Sequence, residues 1–286
     1  MANRRYYSIR TGKNPNAAHF GLDTLKRLLR HTYLSFFYDK GYFQEAFGYH
    51  CVDRGFVPGT LGYDIEAEIQ RRLRKPLPFE PSKLNIEEYS EDDVFDIIEL
   101  LFDCVSKPTK GDYHAYNDCG MHYYEFDRET GRREYRREVN SFLVDYQAGY
   151  ELTEEGEILA LADPGLQSLL DADLPGYDPE NVEKRVQAAI LKFRRRGSTT
   201  EDRHDAVRDL ADVLEFLRPK AAKYFLTKKD DDALYTIANQ FAIRHHDGRQ
   251  KGDYNVAIWY SWIFYVYLAT IHASVRAIKE MEGKES

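Results

Sequence analysis

The sequence predicts a mainly α-helical protein with two helical parts and one small β-hairpin. Over most of its 286 residues, apolar side chains recur every three or four positions, the spacing that places them on one face of an α-helix. Segment 149–160 instead has the strand-turn-strand pattern of a β-hairpin, with its turn at 153–156. A linker with two Pro-Gly pairs separates the two parts. We therefore predict an N-terminal helical lobe over residues 1–163 and a C-terminal helical bundle over residues 177–286.

The N-terminal lobe is predicted to contain helices joined by turns and one long loop. Apolar spacing places its helices at 22–40, 42–49, 65–73, 92–102 and 134–146. Pro76 and Pro78 end the third of these, and Asp92 and Asp93 suit the N-terminus of the fourth, because a helix dipole favours carboxylates there. Segment 107–131 is rich in Gly, Asp, Asn and Tyr, so we predict a loop that is functional or mobile.

The C-terminal bundle is predicted from strong helix-start signals. Asp178 and Pro179 are typical of an N-cap followed by a first-turn proline, and Thr199 or Thr200 is the expected N-cap of the next helix. Pro219 is expected to end that helix because proline lacks the main-chain N–H. The predicted helices run over 178–193, 199–217, 230–241 and from 256 onward.

The last helix begins with 256–275, twenty residues without a formal charge. Such a helix either spans a membrane or is surrounded by other helices. A membrane span concentrates its Tyr and Trp at its two ends. Here polar and aromatic residues are instead spread along the whole length: Tyr260, Ser261, Tyr265, Tyr267, Thr270 and His272. The sequence also begins without an apolar leader, so we predict a cytoplasmic protein without a membrane span. We expect the core of the bundle to contain Trp259, Trp262, Phe264, Tyr267 and Ile271.

Charge and composition limit the function classes. The net charge is −8, so any RNA contact depends on a local basic patch. The dense cationic run consists of Lys192, Arg194, Arg195 and Arg196. It could bind a phosphate backbone weakly, but cations in the last turn of a helix also complement the helix dipole, which is the interpretation that we favour. Phosphate-loop, dinucleotide-binding and serine-hydrolase motifs do not occur, and we predict no cofactor.

A metal site is not predicted from the sequence. Cys51, Cys104 and Cys119 are too few and too scattered for a disulfide framework or a zinc knuckle. His114 and His122 lie near Asp112 and Asp118 and could ligate a metal, but their spacing matches no known geometry.

The strongest candidate site is a polar corner between the last two predicted helices. Its residues are Asn239, Arg244, His245, His246, Asp247 and Arg249. Adjacent imidazoles can supply a general acid and a general base, because histidine titrates near neutral pH. Two arginines can hold a phosphate and stabilise the charge of its transition state. The structural alternative is a helix C-terminus, where Arg and His satisfy the last carbonyls and Gly248 caps the helix.

Two parts of the chain resemble known defence proteins. Segment 238–278, with its Ile-Arg-His-His corner and aromatic last helix, is similar to the C-terminal part of HEPN-type proteins of bacterial phage defence. Segment 135–143, followed by the hairpin of 149–158, resembles the N-terminal domains of AbiJ-like abortive-infection proteins. The resemblance implies a HEPN-like helical bundle that forms a homodimer, and a metal-independent endoribonuclease or RNA-binding effector in antiviral defence.

The resemblance implies an Arg and a downstream His as the catalytic pair. In the usual family motif four to six residues separate them, but here Asn239 stands where the Arg would precede His245. If the corner is catalytic, Arg244 and Arg249 hold the phosphate, and His245 or His246 deprotonates the ribose 2′-hydroxyl to leave a 2′,3′-cyclic phosphate. Asp247 or Asn239 then orients an imidazole. The alternative is a non-catalytic HEPN-like module that dimerises or regulates a partner defence protein.

Overall fold

The computed structural model describes residues 6–11, 13, 20–161, 166–170, 172–224 and 256–285. The chain divides into two compact units, Met1–Leu159 and Ala160–Ser286. The predicted N-terminal lobe ended a few residues later, at residue 163. The predicted helix at 230–241 lies outside the described residues.

The described part of the first unit combines helices with short strands. Its helices are α1 (Tyr7–Arg10), α2 (Leu22–Thr32), α3 (Gln44–Phe47), α4 (Ile65–Leu73), α5 (Glu91–Cys104) and α6 (Arg128–Leu143), with a π-helical segment at Tyr33–Tyr38 and a 3-10 turn at Tyr116–Asp118. Its strands are β1 (Tyr49–Cys51), β2 (Gly55–Val57), β3 (Lys107–His114), β4 (Gly120–Asp127), β5 (Tyr150–Leu152) and β6 (Ile158–Ala160), the last of which ends at the division between the units. They pair as β1–β2, β3–β4 and β5–β6.

Helices α2, α5 and α6 supply much of the core of the first unit. α5 begins with a capping box, in which the side chains of Ser90 and Asp93 each accept a hydrogen bond from the main-chain N–H of the other residue. Most of the apolar residues of α5 are buried. Tyr135 of α6 is fully buried, and its hydroxyl donates to the carbonyl of Ile98 in α5 at 3.2 Å. Burying tyrosine requires such a partner, because an unpaired hydroxyl would lose its bonds to water.

The prediction of a long loop at 107–131 is wrong. This segment forms the antiparallel β3–β4 hairpin and the first turn of α6. The strands pair from Lys107↔Asp127 to His114↔Gly120, with register shifts on either side of Lys110. Neither face of the hairpin is wholly apolar, so its strands lack the alternation that predicts a half-buried sheet. The described part of the chain is thus mostly helical, but it contains three small two-stranded sheets where one hairpin was predicted. The predicted hairpin at 149–160 is confirmed as β5–β6.

The described part of the second unit is helical. Its helices are α7 (Gln167–Leu170), α8 (Lys184–Arg194), α9 (Thr200–Tyr224) and α10 (Val256–Glu285), with a π-helical turn at Pro179–Glu183. The predicted caps are confirmed: Asp178 accepts from the N–H of Asn181, and Thr199 accepts from that of Asp202. α9 packs against both α8 and α10.

Two predictions in the second unit are wrong. Pro219 does not end α9, because the flanking Leu217 and Ala221 are buried and hold the helix in place despite the missing N–H. Phe264, Tyr267 and Ile271 of α10 are buried as predicted, but Trp259 and Trp262 are 38% and 43% exposed. Successive helical residues turn by about 100°, and both tryptophans fall outside the arc that faces α8 and α9. α10 therefore buries one broad face rather than its whole circumference. None of the described helices is long and apolar enough to cross a membrane.

Candidate metal centre

Four side chains with metal-binding atoms converge in the first unit. They are Cys51, His114, Cys119 and His122, and one donor atom from each lies within 4.8 Å of all the others. Two sulfurs and two imidazole nitrogens are the donors that tetrahedral zinc sites use. The geometry of this cluster follows from the strands that carry it.

The β3–β4 hairpin places both histidines on one face. His114 is the last residue of β3 and pairs with Gly120, while His122 of β4 pairs with Asp112. Residues two apart on a strand point to the same side, so the two imidazoles are diagonal neighbours. Their ring centroids are 5.3 Å apart.

The tip of the hairpin turns Cys119 back toward this face. Asn117, Asp118 and Gly120 have φ values of 49°, 52° and 100°, in the left-handed region that Asn, Asp and Gly tolerate best. The hydroxyl of Tyr113 donates to the Asp118 carboxylate and holds the turn. As a result, the Sγ of Cys119 lies 3.3 Å from the Nε2 of His122.

Strand β1 brings the fourth side chain. Tyr49 and Cys51 share one face of this strand, where Tyr49 stacks on the ring of His122 at 4.3 Å and the Sγ of Cys51 lies 3.7 Å from the Nδ1 of His114. The N–H of Val52 donates to the Sγ of Cys119 at 3.4 Å. Two chain segments more than sixty residues apart therefore meet at the cluster.

The hairpin is also held to the core by α3. The side-chain amide of Gln44 donates to the carbonyl of Met121 at 3.0 Å and accepts from the N–H of Tyr123 at 3.1 Å. A Cβ at Gly41 would lie 2.5 Å from the Tyr123 ring, so this close approach requires glycine. These contacts fix β4 beside the cluster.

The spacing of the donors fits a tetrahedral ion. Zn–S bonds of about 2.3 Å and Zn–N bonds of about 2.0–2.1 Å place neighbouring donors about 3.4–3.8 Å apart. The two sulfur–nitrogen distances of 3.3 and 3.7 Å lie close to this range, and every other pair is within 4.8 Å. Small side-chain adjustments would complete the coordination.

The surroundings orient the two imidazoles. The Nε2 of His114 lies 3.1 Å from a carboxylate oxygen of Asp53, so the Nδ1 faces the cluster. A carboxylate on the second nitrogen is the usual outer partner of a metal-binding histidine. Burial, then the charges of His114 and Arg54, lower the pKa of His122 below its ordinary value. A lowered pKa favours the neutral imidazole, which is the form that binds metals.

No metal site was predicted from the sequence, but the structure brings four possible ligands together. The cysteines are scattered in the sequence, but Cys51 and Cys119 meet in the fold, whereas the carboxylates of Asp112 and Asp118 are not members of the cluster. The available sequence signal was His114-x4-Cys119-x2-His122. It supplies three donors, and the fourth comes from a strand whose pairing the sequence did not reveal.

The other predicted site residues are placed as follows. Asn239, Arg244, His245, His246, Asp247 and Arg249 lie outside the described residues. In the cationic run, Lys192 pairs with Asp209 at 2.5 Å. Arg194 is 8% exposed, and its Nε donates at 3.0 Å to the carbonyl of Ala160, the first residue of its unit. Arg195 and Arg196 follow at the C-terminal end of α8. The burial of Arg194 favours the structural interpretation of this run.

A scan against protein-family models and searches of curated proteins and of solved structures gave no match to this chain.

Proposed function

We propose that Cys51, His114, Cys119 and His122 bind one Zn²⁺ ion that fastens the β3–β4 hairpin to the β1–β2 hairpin. The observation that carries this proposal is the convergence of the four donor atoms within 4.8 Å. Magnesium and calcium prefer oxygen ligands, and none of the four donors is an oxygen. Thiolate together with imidazole favours zinc among the common divalent ions.

A structural role suits this site better than a catalytic one. Catalytic zinc keeps one coordination position for water or substrate, whereas four protein ligands fill a tetrahedral ion. Strands β1 and β2 have three residues each, and paired strands this short are not stable alone. The small apolar surface that these strands bury is not enough to hold them together, and the ion would cross-link them.

Metal content decides the proposal. A four-ligand site implies about one zinc ion per chain. We expect elemental mass spectrometry of the purified protein to find this amount. Cys51→Ser and Cys119→Ser should each lose it. His50→Ala is the matched control, because His50 neighbours Cys51 but lies exposed on the opposite face of β1. Wild-type protein that takes up no zinc when refolded with it would contradict the proposal.

For the whole chain we propose an RNA-directed effector of antiviral defence, with metal-independent endoribonuclease activity at Arg244, His245 and His246. The resemblance to HEPN-type proteins and the helical second unit support it. The alternative is a non-catalytic module that dimerises or regulates a partner. The proposed zinc site affects the test for metal-independent cleavage. A chelator that removes the zinc would unfold part of the first unit and abolish activity indirectly.

RNA cleavage is therefore best measured with zinc-loaded protein freed of excess metal. We expect wild-type protein to leave 2′,3′-cyclic phosphate ends, while Arg244→Ala and the double variant His245→Ala/His246→Ala keep their zinc and lose cleavage. Inert wild-type protein would favour the non-catalytic module. Light scattering tests the homodimer that both versions imply.

A further inference from the structure

We infer that the four-ligand centre is also a thiol switch, in which a peroxide joins Cys51 and Cys119 as a disulfide and the metal ion leaves. This inference rests on the proposed zinc site. It extends that proposal by assigning a reaction, and an oxidant of defined class, to two of the ligands.

The first support is the proximity of the two sulfurs. Both belong to the group of donors that lie within 4.8 Å of one another. The N–H of Val52, the residue after Cys51, donates to the Sγ of Cys119 and keeps that sulfur beside β1. A disulfide needs an S–S bond of about 2.05 Å, so the sulfurs must approach by about 3 Å or less.

The second support is the unequal exposure of the two cysteines. Cys51 is 2% exposed, whereas Cys119, at the exposed tip of the hairpin, is only partly buried. A dissolved peroxide therefore reaches Cys119 first, and Cys51 is the resolving thiol next to it. Oxidation-sensitive cysteines commonly combine an accessible sulfur with a neighbouring resolving cysteine.

The chemistry balances with hydrogen peroxide as the oxidant. The Cys119 sulfur attacks one peroxide oxygen, the O–O bond breaks, and the departing hydroxide takes a proton to become water. The Cys51 sulfur then attacks the resulting sulfenic sulfur and displaces a second hydroxide, which also leaves as water. Overall, two thiolates, one peroxide and two protons give one disulfide and two waters. Without its two thiolates the Zn²⁺ ion keeps only the imidazoles and is released.

The third cysteine provides an internal comparison. Cys104 is buried at the end of α5, and burial raises the pKa of its thiol to about 12. Because the thiolate is the reactive form, Cys104 should remain reduced under conditions that oxidise the pair.

The test uses zinc-loaded, full-length protein whose metal content is measured first. Stepwise hydrogen peroxide is added, released zinc is followed with a coloured chelator, and non-reduced peptides are analysed by mass spectrometry. We expect the release of about one zinc ion per chain and the appearance of a peptide linked through Cys51 and Cys119. The zinc should be released at the same rate at which the linked peptide forms. Thiol reductant plus zinc should restore the original metal content, and His50→Ala should behave like wild type.

Three outcomes would overturn the switch alone: zinc retained at peroxide levels that oxidise the partly buried Met281, zinc lost while Cys119 becomes a sulfinic acid and Cys51 stays a thiol, or a disulfide that involves Cys104. A chain that takes up no zinc before oxidant is added would overturn the proposed site, and the switch with it. The metal measurement at the start separates these two failures.

Discussion

Different contacts dominate in two regions of the molecule. One region is the pair of hairpins β1–β2 and β3–β4 in the first unit, and the other is the packing of helices α8, α9 and α10 in the second. In the second unit, one face of α10 is buried against α8 and α9, and Phe264 stacks on Phe193 with ring centroids 3.9 Å apart. In the hairpins, short half-exposed strands meet around two thiols and two imidazoles. The periodicity of apolar residues in the sequence predicts which helix faces are buried. A cluster of metal-binding side chains becomes visible only when the pairing of distant strands is known.

The largest expected effect is the loss of metal from the hairpins. Zinc binding contributes about 10–16 kcal/mol to folding in small zinc domains, so Cys51→Ser should expose the strands that the ion joins. Hydrogen exchange of the Cys51→Ser variant should show that the main-chain amides of strands β1, β2, β3 and β4 lose protection. The amides of α8 and α9 should keep theirs. Equal loss of protection in α8 would contradict the contrast between the two regions.

Truncating the helical core should have the next largest effect. Phe264 is fully buried, so Phe264→Ala should lower the free energy of unfolding by about 3–5 kcal/mol. Trp262→Ala is the control on the same helix, because Trp262 is 43% exposed and should cost much less. Thermal unfolding measures both, and neither change should alter zinc content. Equal losses of stability would mean that α10 is buried all round.

A smaller effect is expected at Asp53, which orients His114. Asp53→Asn should weaken zinc binding by about 10–100-fold, in line with other outer-shell carboxylates, while leaving one ion per chain at saturation. Competition with a chelator of known affinity measures this change. Asp112→Asn is the matched control, because Asp112 pairs with His122 across the hairpin but is not a member of the cluster. Equal effects of the two changes would remove the orienting role.

The smallest expected effect is at the capping box of α5. Ser90→Ala should lower stability by about 1 kcal/mol. Burial alone would raise the pKa of Asp93, but the ammonium of Lys75 and the hydrogen bonds from Ser90 outweigh it and hold this pKa below its ordinary value. Its contribution to stability is therefore complete above the ordinary Asp pKa and is lost as the pH falls through the lowered one. Denaturant unfolding at neutral and acidic pH should show the effect of Ser90→Ala shrinking on acidification; a constant effect would contradict this.

The parts of the fold that the sequence predicted are those governed by local rules. α4, the β5–β6 hairpin and the caps at Asp178 and Thr199 depend on neighbouring residues, and each lies where it was expected. Pro219 was misjudged because tertiary burial on both sides of it outweighs the local cost of proline.

The metal cluster could not be predicted from local rules. His114, Cys119 and His122 are close in sequence, but Cys51 joins them only through the pairing of β1 with β2 and the docking of β4 on Gln44. The β3–β4 pair lacks a wholly apolar face, and β1 and β2 have only three residues each, so periodicity gives no reason to bring the two pairs together. The proposed ion would supply that reason, because it would bind all four donors at once.

X-ray absorption at the zinc edge tests the central claim most directly. For zinc-loaded wild-type protein we expect two sulfur neighbours at about 2.3 Å and two nitrogen neighbours at about 2.0–2.1 Å. Cys119→Ser should lose a sulfur neighbour or lose the ion, whereas His50→Ala should leave the spectrum unchanged. A shell of light atoms without sulfur in the wild-type protein would contradict a centre built on Cys51 and Cys119.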